Sequence, residues 1–266
     1  MEQLFRERIN SFDPIQLFEL QSGKLMARYD TKYILSPEQV LSLLTSLKEI
    51  NYKVFYINHL NLFTYQNLYF DTPSLQMYLC HHNGKKNRYK IRMREYLETN
   101  LRFLEIKHKN NKNLTLKTRV EIPEIDAGII YNLKKFIYEN SSFASANLRP
   151  VYRNQYQRFT IIHPQQKERL TFDFRLSFNH RNKNVQLNDV VIVEQKKAAT
   201  DQVDGSKNIF KQFKNQEVRL SKYCIGVALL DLHPKKNRFK TLLRKLQNQY
   251  PFTPALYAGQ NLSGNG

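Results

Sequence analysis

The stretch 87–109, NRYKIRMREYLETNLRFLEIKHK, decides the fold because it predicts two strands joined by a turn at 98–100. Side chains alternate between the two faces of a strand. The charged side chains of each strand therefore share one face: Lys90, Arg92 and Arg94 in the first, and Glu105, Lys107 and Lys109 in the second. Like charges that lie side by side on neighbouring strands repel one another. The pattern therefore indicates that these cations face an anion that they share.

The same alternation recurs on other predicted strands. Basic residues two positions apart, with an occasional carboxylate, hydroxyl or tyrosine, share a face in further segments: Arg28, Asp30 and Lys32; Lys117, Arg119 and Glu121; Tyr156 and Arg158; Arg169, Thr171, Asp173 and Arg175; Glu194 and Lys196. A solvated outer face is the ordinary position of charged strand residues and is the alternative for each single strand. However, cations clearly outnumber carboxylates here, whereas an outer face more often mixes the two signs.

The apolar faces of these strands need cover, and two predicted helices can supply it. The helix at 36–50 begins with Ser36 as its cap and Pro37 in its first turn. It carries an apolar stripe, and a second helix at 126–140 carries another. If the helices cover the apolar faces from outside, a closed sheet turns its charged faces inward. The sequence therefore predicts an α+β fold, a closed antiparallel β-barrel with helices packed outside.

The remaining segments complete a single predicted domain over 1–250. Its further strands are predicted at 27–35, 53–58, 65–70, 114–122, 150–161, 168–178 and 189–196. The domain is predicted to begin with a helical segment at 1–24, broken near Pro14, and to end with a basic amphipathic helix at 235–250. Residues 81–86 are predicted to be a polar loop, and 251–266 a disordered tail.

Charge and composition narrow the class of partner. The chain carries 42 Lys and Arg residues against 23 Asp and Glu residues, a formal net charge of +19. This charge favours nucleic acid, an acidic membrane surface or a phosphate-rich small molecule. The chain has no tryptophan, and only Tyr156 lies among the alternating cations, which argues against nucleic acid. A water-filled lumen of cations suits a triphosphate or polyphosphate, because arginine binds phosphate oxygens bidentately. The interleaved carboxylates would hold a divalent cation.

Membrane and redox signals are weak in this sequence. The longest apolar runs are far shorter than the roughly 20 residues of a membrane-spanning helix. The N-terminus is charged from Glu2 onward and lacks the apolar core of a signal peptide. We therefore expect a cytoplasmic protein. Cys80 and Cys224 do not form a CxxC pair, which argues against a zinc site and favours free thiols.

Nine short motifs then follow one another along the chain: RYDTKY (28–33), LYFDTP (68–73), YKIRMREY (89–96), LEIKHK (104–109), LKTR (116–119), RPVYRNQYQR (149–158), RLTFDF (169–174), VIVEQK (191–196) and RLSKYC (219–224). In this order they resemble the VTC domain, the polyphosphate polymerase domain of the vacuolar transporter chaperone. That family lies within the triphosphate tunnel metalloenzymes, a CYTH-like superfamily. The resemblance extends over about 25–230, nearly the whole chain.

The resemblance implies a tunnel-shaped barrel in which the γ-phosphate of ATP is transferred to a growing polyphosphate chain, with Mn²⁺ or Mg²⁺ and release of ADP. The partners it implies are ATP and pyrophosphate or polyphosphate. The implied catalytic residues are Lys32, Arg92, Arg94, Lys107, Lys117, Arg158, Arg169 and Lys222. The implied substrate contacts are Tyr156, Arg219 and Ser221, to which the alternating pattern adds Lys90, Arg119 and Lys196. Glu194 is the implied metal ligand.

The sequence leaves the roles of some residues, and the activity of the protein, undecided. Asp71 is interpreted as a structural residue at the start of a turn, and Glu105 either orients Lys107 or helps to hold the metal. Arg28-x-Asp30-x-Lys32 stands where other tunnel enzymes have ExExK, which fits polymerases better than triphosphatases. The alternatives are a tripolyphosphatase or nucleoside triphosphatase, and a non-catalytic polyphosphate-binding module. A separate membrane protein is left open as a partner.

Overall fold

A computed structural model describes residues 1–16, 28–112, 114–123, 127–144, 147–165, 168–198, 206–212, 217–249 and 254–256. The helices in this part of the chain are α1 (Glu2–Asn10), α2 (Pro37–Glu49), α3 (Gln76–His82), α4 (Ala127–Asn140), α5 (Lys207–Gln212), α6 (Lys222–Leu229) and α7 (Lys240–Gln249), with a 3₁₀ turn at Asn237–Phe239. The strands are β1 (Pro14–Gln16), β2 (Arg28–Leu35), β3 (Lys53–Tyr56), β4 (Leu62–Asp71), β5 (Arg88–Tyr96), β6 (Leu101–Lys109), β7 (Thr115–Glu121), β8 (Arg149–His163), β9 (Glu168–His180), β10 (Lys183–Leu187), β11 (Val191–Ala198) and β12 (Pro254–Leu256).

The first of two compact units comprises Met1–Thr64, Tyr156–Leu176 and Asn188–Leu220. In it β11 lies antiparallel between β2 and β9, while β3 pairs antiparallel with β8 and parallel with β1. Helix α2 begins with a capping box between Ser36 and Gln39. Its buried stripe packs in one core cluster with inward side chains of the sheet: Val40, Leu43, Leu44 and Leu47 with Phe172, Val191 and Val193. One face of this sheet is therefore apolar, and the other carries its charged residues.

The second unit comprises Tyr65–Gln155, Ser177–Leu187 and Ser221–Gly266. Strands β4, β5, β6 and β7 pair antiparallel in chain order. Helix α4 packs on β6 and β7. It covers the face that carries Ile106 and Thr118, where a cavity remains between helix and sheet. The opposite face of these strands therefore carries their charged residues, as the period-two pattern predicts.

The fold of the described residues is α+β, an antiparallel sheet with helices in which β1 and β3 pair in parallel. The strand pairings recorded for these residues do not run in a closed ring, so barrel closure stays a prediction. The same holds for the single domain over 1–250. None of the described helices combines the length and the apolar character that crossing a membrane requires. Cys80 and Cys224 are both free thiols.

Several short elements differ from the sequence prediction, and each depends on a distant partner. The N-terminal helix ends at Asn10, because the chain then pairs as β1 with β3. His81 and His82 end helix α3 rather than opening a loop. Within the predicted tail, Pro254–Leu256 form β12 and pair antiparallel with β10. Apart from these three residues, the predicted tail lies outside the described residues, as does the segment 17–27.

Candidate functional site

The register of β5, β6 and β7 brings three cations around one buried carboxylate, which we call the Glu105 cluster: Arg92, Arg94, Lys117 and Glu105. Glu105 lies directly opposite Arg92 in the β5–β6 pairing. The Nε and Nη2 atoms of Arg92 donate to Oε2 of Glu105 at 2.8 and 2.6 Å. The Lys117 ammonium lies 2.7 Å from Oε1, and Nε of Arg94 lies 3.9 Å from Oε2. One carboxylate therefore holds three cationic groups together.

Side chains of β4 fix the orientation of the two guanidinium groups. Arg94 Nε donates to Oδ1 of the fully buried Asn67 at 3.0 Å. The Asn67 amide in turn donates to Oδ1 of Asn154 at 3.0 Å. Arg92 Nη1 donates to the hydroxyl of Tyr69 at 3.4 Å. Because each donor or acceptor is itself held by a second contact, the cations present a preorganised surface to an anion.

The cations keep Glu105 ionised. Burial alone would raise the pKa of this carboxyl group, since its side chain is only 2% exposed. The positive charges of Arg92, Arg94 and Lys117 outweigh burial and hold the pKa well below its usual range. With one negative charge among three positive ones, the cluster keeps a surplus of positive charge at neutral pH.

The first unit contains a second arrangement of this kind, which we call the Glu194 cluster: Lys32, Glu194 and Lys196. The pairing of β11 with β2 places Lys32 opposite Glu194. The Lys32 ammonium lies 2.8 Å from Oε1 of Glu194, and Lys196 forms an ion pair with Oε2. Burial would raise the pKa of Glu194, but the two ammonium groups hold it well below the usual range. Burial also lowers the pKa of Lys196 to about 8, with Glu194 opposing the shift.

Arg158 is held by a separate buried carboxylate in the same unit. Its Nη2 donates to Oδ2 of Asp173 at 2.7 Å, and its Nε contacts Oδ1. Asp173 is 1% exposed. The Arg158 guanidinium also lies 5.4 Å from the ring centre of the buried Tyr156. Arg158 is therefore fixed by a bidentate contact and an aromatic ring.

The other predicted site residues differ in how far the structure brings them together. Lys90 and Lys107 lie opposite each other on β5 and β6, and Arg169 lies opposite Lys196 on β9 and β11. The exposed Arg119 lies over the ring of Phe103, 4.6 Å from its centre. Arg219 is exposed, in a segment whose Val218 N–H donates to the Lys32 carbonyl at 2.8 Å. Ser221 caps α6 by accepting from Cys224 N at 3.4 Å, and Lys222 is the first residue of that helix.

Three residues of these arrangements were not assigned to the site from the sequence: Asn67, Tyr69 and Asp173. All three are uncharged or acidic, whereas the sequence pattern selects cations. The alternation itself contains the signal, because Asn67 and Tyr69 lie two positions apart on β4 and Asp173 shares a face with Arg169. Glu105 was placed on the correct face, and it contacts Arg92, Arg94 and Lys117.

The donor set suits a divalent cation only in combination with phosphate. Among the described residues, no group of three or more His, Cys, Asp or Glu side chains could hold a metal ion by itself. Mg²⁺ commonly binds one or two carboxylates together with substrate phosphates. Glu194 offers such a single ionised carboxylate beside cations. The residues therefore fit a cation that Glu194 and phosphate oxygens would hold together.

Comparison with known proteins then identifies the family. The family model described as the VTC domain matches residues 27–231. The chain belongs to the VTC domain family. The match includes every residue of the Glu105 and Glu194 clusters, and it confirms the resemblance that the motifs predict. No curated protein matches the chain.

Solved structures similar to this VTC-domain chain have low sequence identity. A putative adenylate cyclase from Bacillus halodurans is 15% identical, with a TM-score of 0.48, and the match covers 74% of this chain and 94% of that chain. A putative adenylyl cyclase from Hippeastrum, described as having a dominant triphosphatase activity, is 15% identical with a TM-score of 0.42 and covers 75% and 96%. A putative adenylate cyclase from Vibrio parahaemolyticus is 10% identical with a TM-score of 0.44 and covers 74% and 96%.

Proposed function

We propose that the protein is an ATP-dependent polyphosphate polymerase that transfers the γ-phosphate of ATP to the end of a polyphosphate chain. The observation that carries the proposal is the Glu105 cluster, in which Arg92, Arg94 and Lys117 are held side by side with a surplus of positive charge. Arginine forks match phosphate oxygens, and a linear polyphosphate offers a dense series of them. Membership of the VTC domain family supports the same reading.

The reaction needs positioning and charge neutralisation more than covalent help from the protein. A terminal oxygen of the polyphosphate chain attacks the γ-phosphorus of ATP. The bond from that phosphorus to the oxygen bridging it to the β-phosphate breaks, and ADP leaves with the electron pair. The attacking oxygen is already anionic, so no general base is required.

We assign the cations to two tasks in this reaction. Arg92 and Arg94 in the second unit, like Arg158 and Arg169 in the first, are assigned to binding of phosphate oxygens. Lys107, Lys117 and Lys222 in the second unit, like Lys32 in the first, are assigned to neutralisation of phosphate charge. Lys90, Arg119, Tyr156, Lys196, Arg219 and Ser221 are assigned to further substrate contacts. In these roles, the side chains that contact one another within each cluster would also contact the bound substrate.

Glu194 would hold Mn²⁺ or Mg²⁺ together with phosphate oxygens. A bound divalent cation would reduce the negative charge of the phosphates that meet in the reaction. Lys32 and Lys196 each contact one carboxylate oxygen of Glu194, and a metal ion held there would replace one of these ammonium contacts. The closed tunnel, the cytoplasmic location and a separate membrane-protein partner stay predictions that accompany this function.

The experiment is incubation of the purified protein with ATP and Mn²⁺, with and without a pyrophosphate primer. We expect polymer on a gel, ADP as the second product and little free phosphate. Free phosphate without polymer would instead identify a triphosphatase, with water in place of the acceptor. Binding of polyphosphate with neither product would identify a non-catalytic module. Parallel assays with Glu194→Gln, which we expect to need more Mn²⁺ for synthesis, test whether any activity arises at the proposed site.

A further inference from the structure

Three buried tyrosines adjoin the Glu105 cluster: Tyr69, Tyr152 and Tyr223. We call them the tyrosine group. The Tyr69 ring centre lies 5.2 Å from that of Tyr152 and 5.2 Å from that of Tyr223. The rings of Tyr152 and Tyr223 are parallel within 3°, with centres 6.2 Å apart. The Tyr69 hydroxyl accepts from Arg92. The group therefore connects a residue of the Glu105 cluster with helix α6, to which Tyr223 belongs.

Asp71 holds the side chain of Tyr223 in place. Its carboxylate is fully buried and accepts from the backbone N–H groups of Thr72, Met77 and Tyr78 at 2.7, 2.9 and 2.9 Å. The Tyr223 hydroxyl donates to Oδ2 of the same carboxylate. A buried carboxylate that receives several hydrogen bonds is held in one orientation. Tyr223 is thus tied to the start of α3, although the two lie far apart in the sequence.

Tyr152 holds the same end of α6 from another side. Its hydroxyl lies 2.8 Å from the carbonyl oxygen of Lys222 and 3.1 Å from that of Tyr223. Its ring packs directly on Gly226, where an added Cβ would come within 2.3 Å of a ring carbon. Only glycine permits this approach without a shift of the helix. Two tyrosines therefore fix the first turn of α6 at its backbone.

The residues that this arrangement positions are Ser221 and Lys222, which open α6 and have been assigned to phosphate binding above. A lysine binds phosphate as a point charge on a flexible stem, so its effect depends on where its backbone is held. We propose that Tyr223 and Tyr152, anchored by Asp71, are positioning residues that place Ser221 and Lys222 for phosphate binding. The proposal rests on the proposed function, because it takes from it that Lys222 binds phosphate.

The test is a double-mutant cycle on binding of inorganic tripolyphosphate, measured by calorimetry with the full chain. Lys222→Ala removes the ammonium, and Tyr223→Phe removes only the buried hydroxyl. We expect each single variant to weaken binding, Tyr223→Phe by about tenfold, equivalent to ~1.4 kcal/mol. We expect the double variant to lose less than the product of the two single losses, because Tyr223 acts in part through Lys222. Tyr152→Phe, which also keeps its ring, should behave like Tyr223→Phe.

Tyr78→Phe is the matched control. Its hydroxyl is also in the second unit and donates to the Lys235 carbonyl at 2.7 Å, not to a residue of α6. We expect this variant to lose a similar amount of thermal stability and to bind tripolyphosphate like the unaltered protein. The positioning role is overturned if Tyr223→Phe and Tyr152→Phe bind normally, or if the losses of Tyr223→Phe and Lys222→Ala multiply. If the unaltered protein does not bind tripolyphosphate, the proposed function fails and the positioning role fails with it.

Discussion

The Glu105 cluster and the Glu194 cluster each stabilise one ionised carboxylate with positive groups, but they differ in which cations contact it. Each places one ionised carboxylate among positive groups on neighbouring antiparallel strands. Glu105 is held chiefly by the guanidinium fork of Arg92, and its side chain is 2% exposed. Glu194 is held by two ammonium groups, and its side chain is 17% exposed.

This difference indicates different tasks for the two carboxylates. A guanidinium fork fixes both partners in one geometry, so Glu105 serves to hold the arginines in place. An ammonium group is a point charge that another cation can replace, so Glu194 suits exchange with a divalent metal ion. The contrast therefore predicts that loss of Glu105 affects stability and that loss of Glu194 affects the metal requirement.

The largest expected effect is the loss of an arginine from the Glu105 cluster. We expect Arg92→Ala to reduce the rate of ATP-dependent polyphosphate synthesis by about 10²–10³-fold, by analogy with other preorganised electrostatic sites. Arg102→Ala is the control, because Arg102 pairs with Glu95 at 2.9 Å through side chains on the opposite face of β5 and β6. Polymer yield over time measures both. Equal losses in the two variants would show that the charged face has no special part in the reaction.

The metal requirement separates the two carboxylates. We expect Glu194→Gln to raise the Mn²⁺ concentration that gives half-maximal activity by about 10–100-fold, because it removes the ionised ligand. Glu105→Gln should leave that concentration nearly unchanged, since the guanidinium of Arg92 holds its carboxylate and its side chain is only 2% exposed. Metal titrations of both variants at saturating ATP provide the measurement. The assignment of the metal to Glu194 is wrong if the two titrations shift together.

Thermodynamic stability should depend more on Glu105 than on Glu194. We expect Glu105→Gln to lower the free energy of unfolding at pH 7 by about 1–3 kcal/mol, the usual range for a buried hydrogen bond to a charged group. Because the pKa of Glu105 is below its ordinary value of 4.5 in the folded protein, its contribution is complete above about pH 5 and is lost as the pH falls through the folded value. Denaturant unfolding at several pH values should therefore show the two proteins converging in acid.

Local periodicity predicts much of this molecule. The strands that carry the cations, and their division into an apolar and a charged face, follow from side-chain alternation. The helix at 37–49 follows from its cap and its apolar stripe. Alternation assigns a residue to a face without naming its partners. The register of β5 with β6, which places Arg92 opposite Glu105, follows from the short turn between them.

The elements that the sequence did not predict depend on distant contacts. Helix α3 begins where backbone N–H groups meet the Asp71 carboxylate, and β12 forms because β10 is there to pair with it. Tyr152 and Tyr223 were not identified as positioning residues for a related reason. Nothing near either residue in the sequence indicates that Tyr152 contacts the first turn of α6 or that Tyr223 reaches Asp71.

The smallest expected effect compares two arginines on either side of Glu105. Arg92 and Arg119 both lie opposite Glu105 in the strand register, but only Arg92 makes the two close contacts with its carboxylate. Arg119 instead lies exposed over the ring of Phe103. An exposed contact of this kind is worth about 0.5–1 kcal/mol, so we expect Arg119→Ala to reduce synthesis by no more than about fivefold. If Arg119→Ala is as severe as Arg92→Ala, then position on the charged face, rather than contact with the carboxylate, determines which cations bind phosphate.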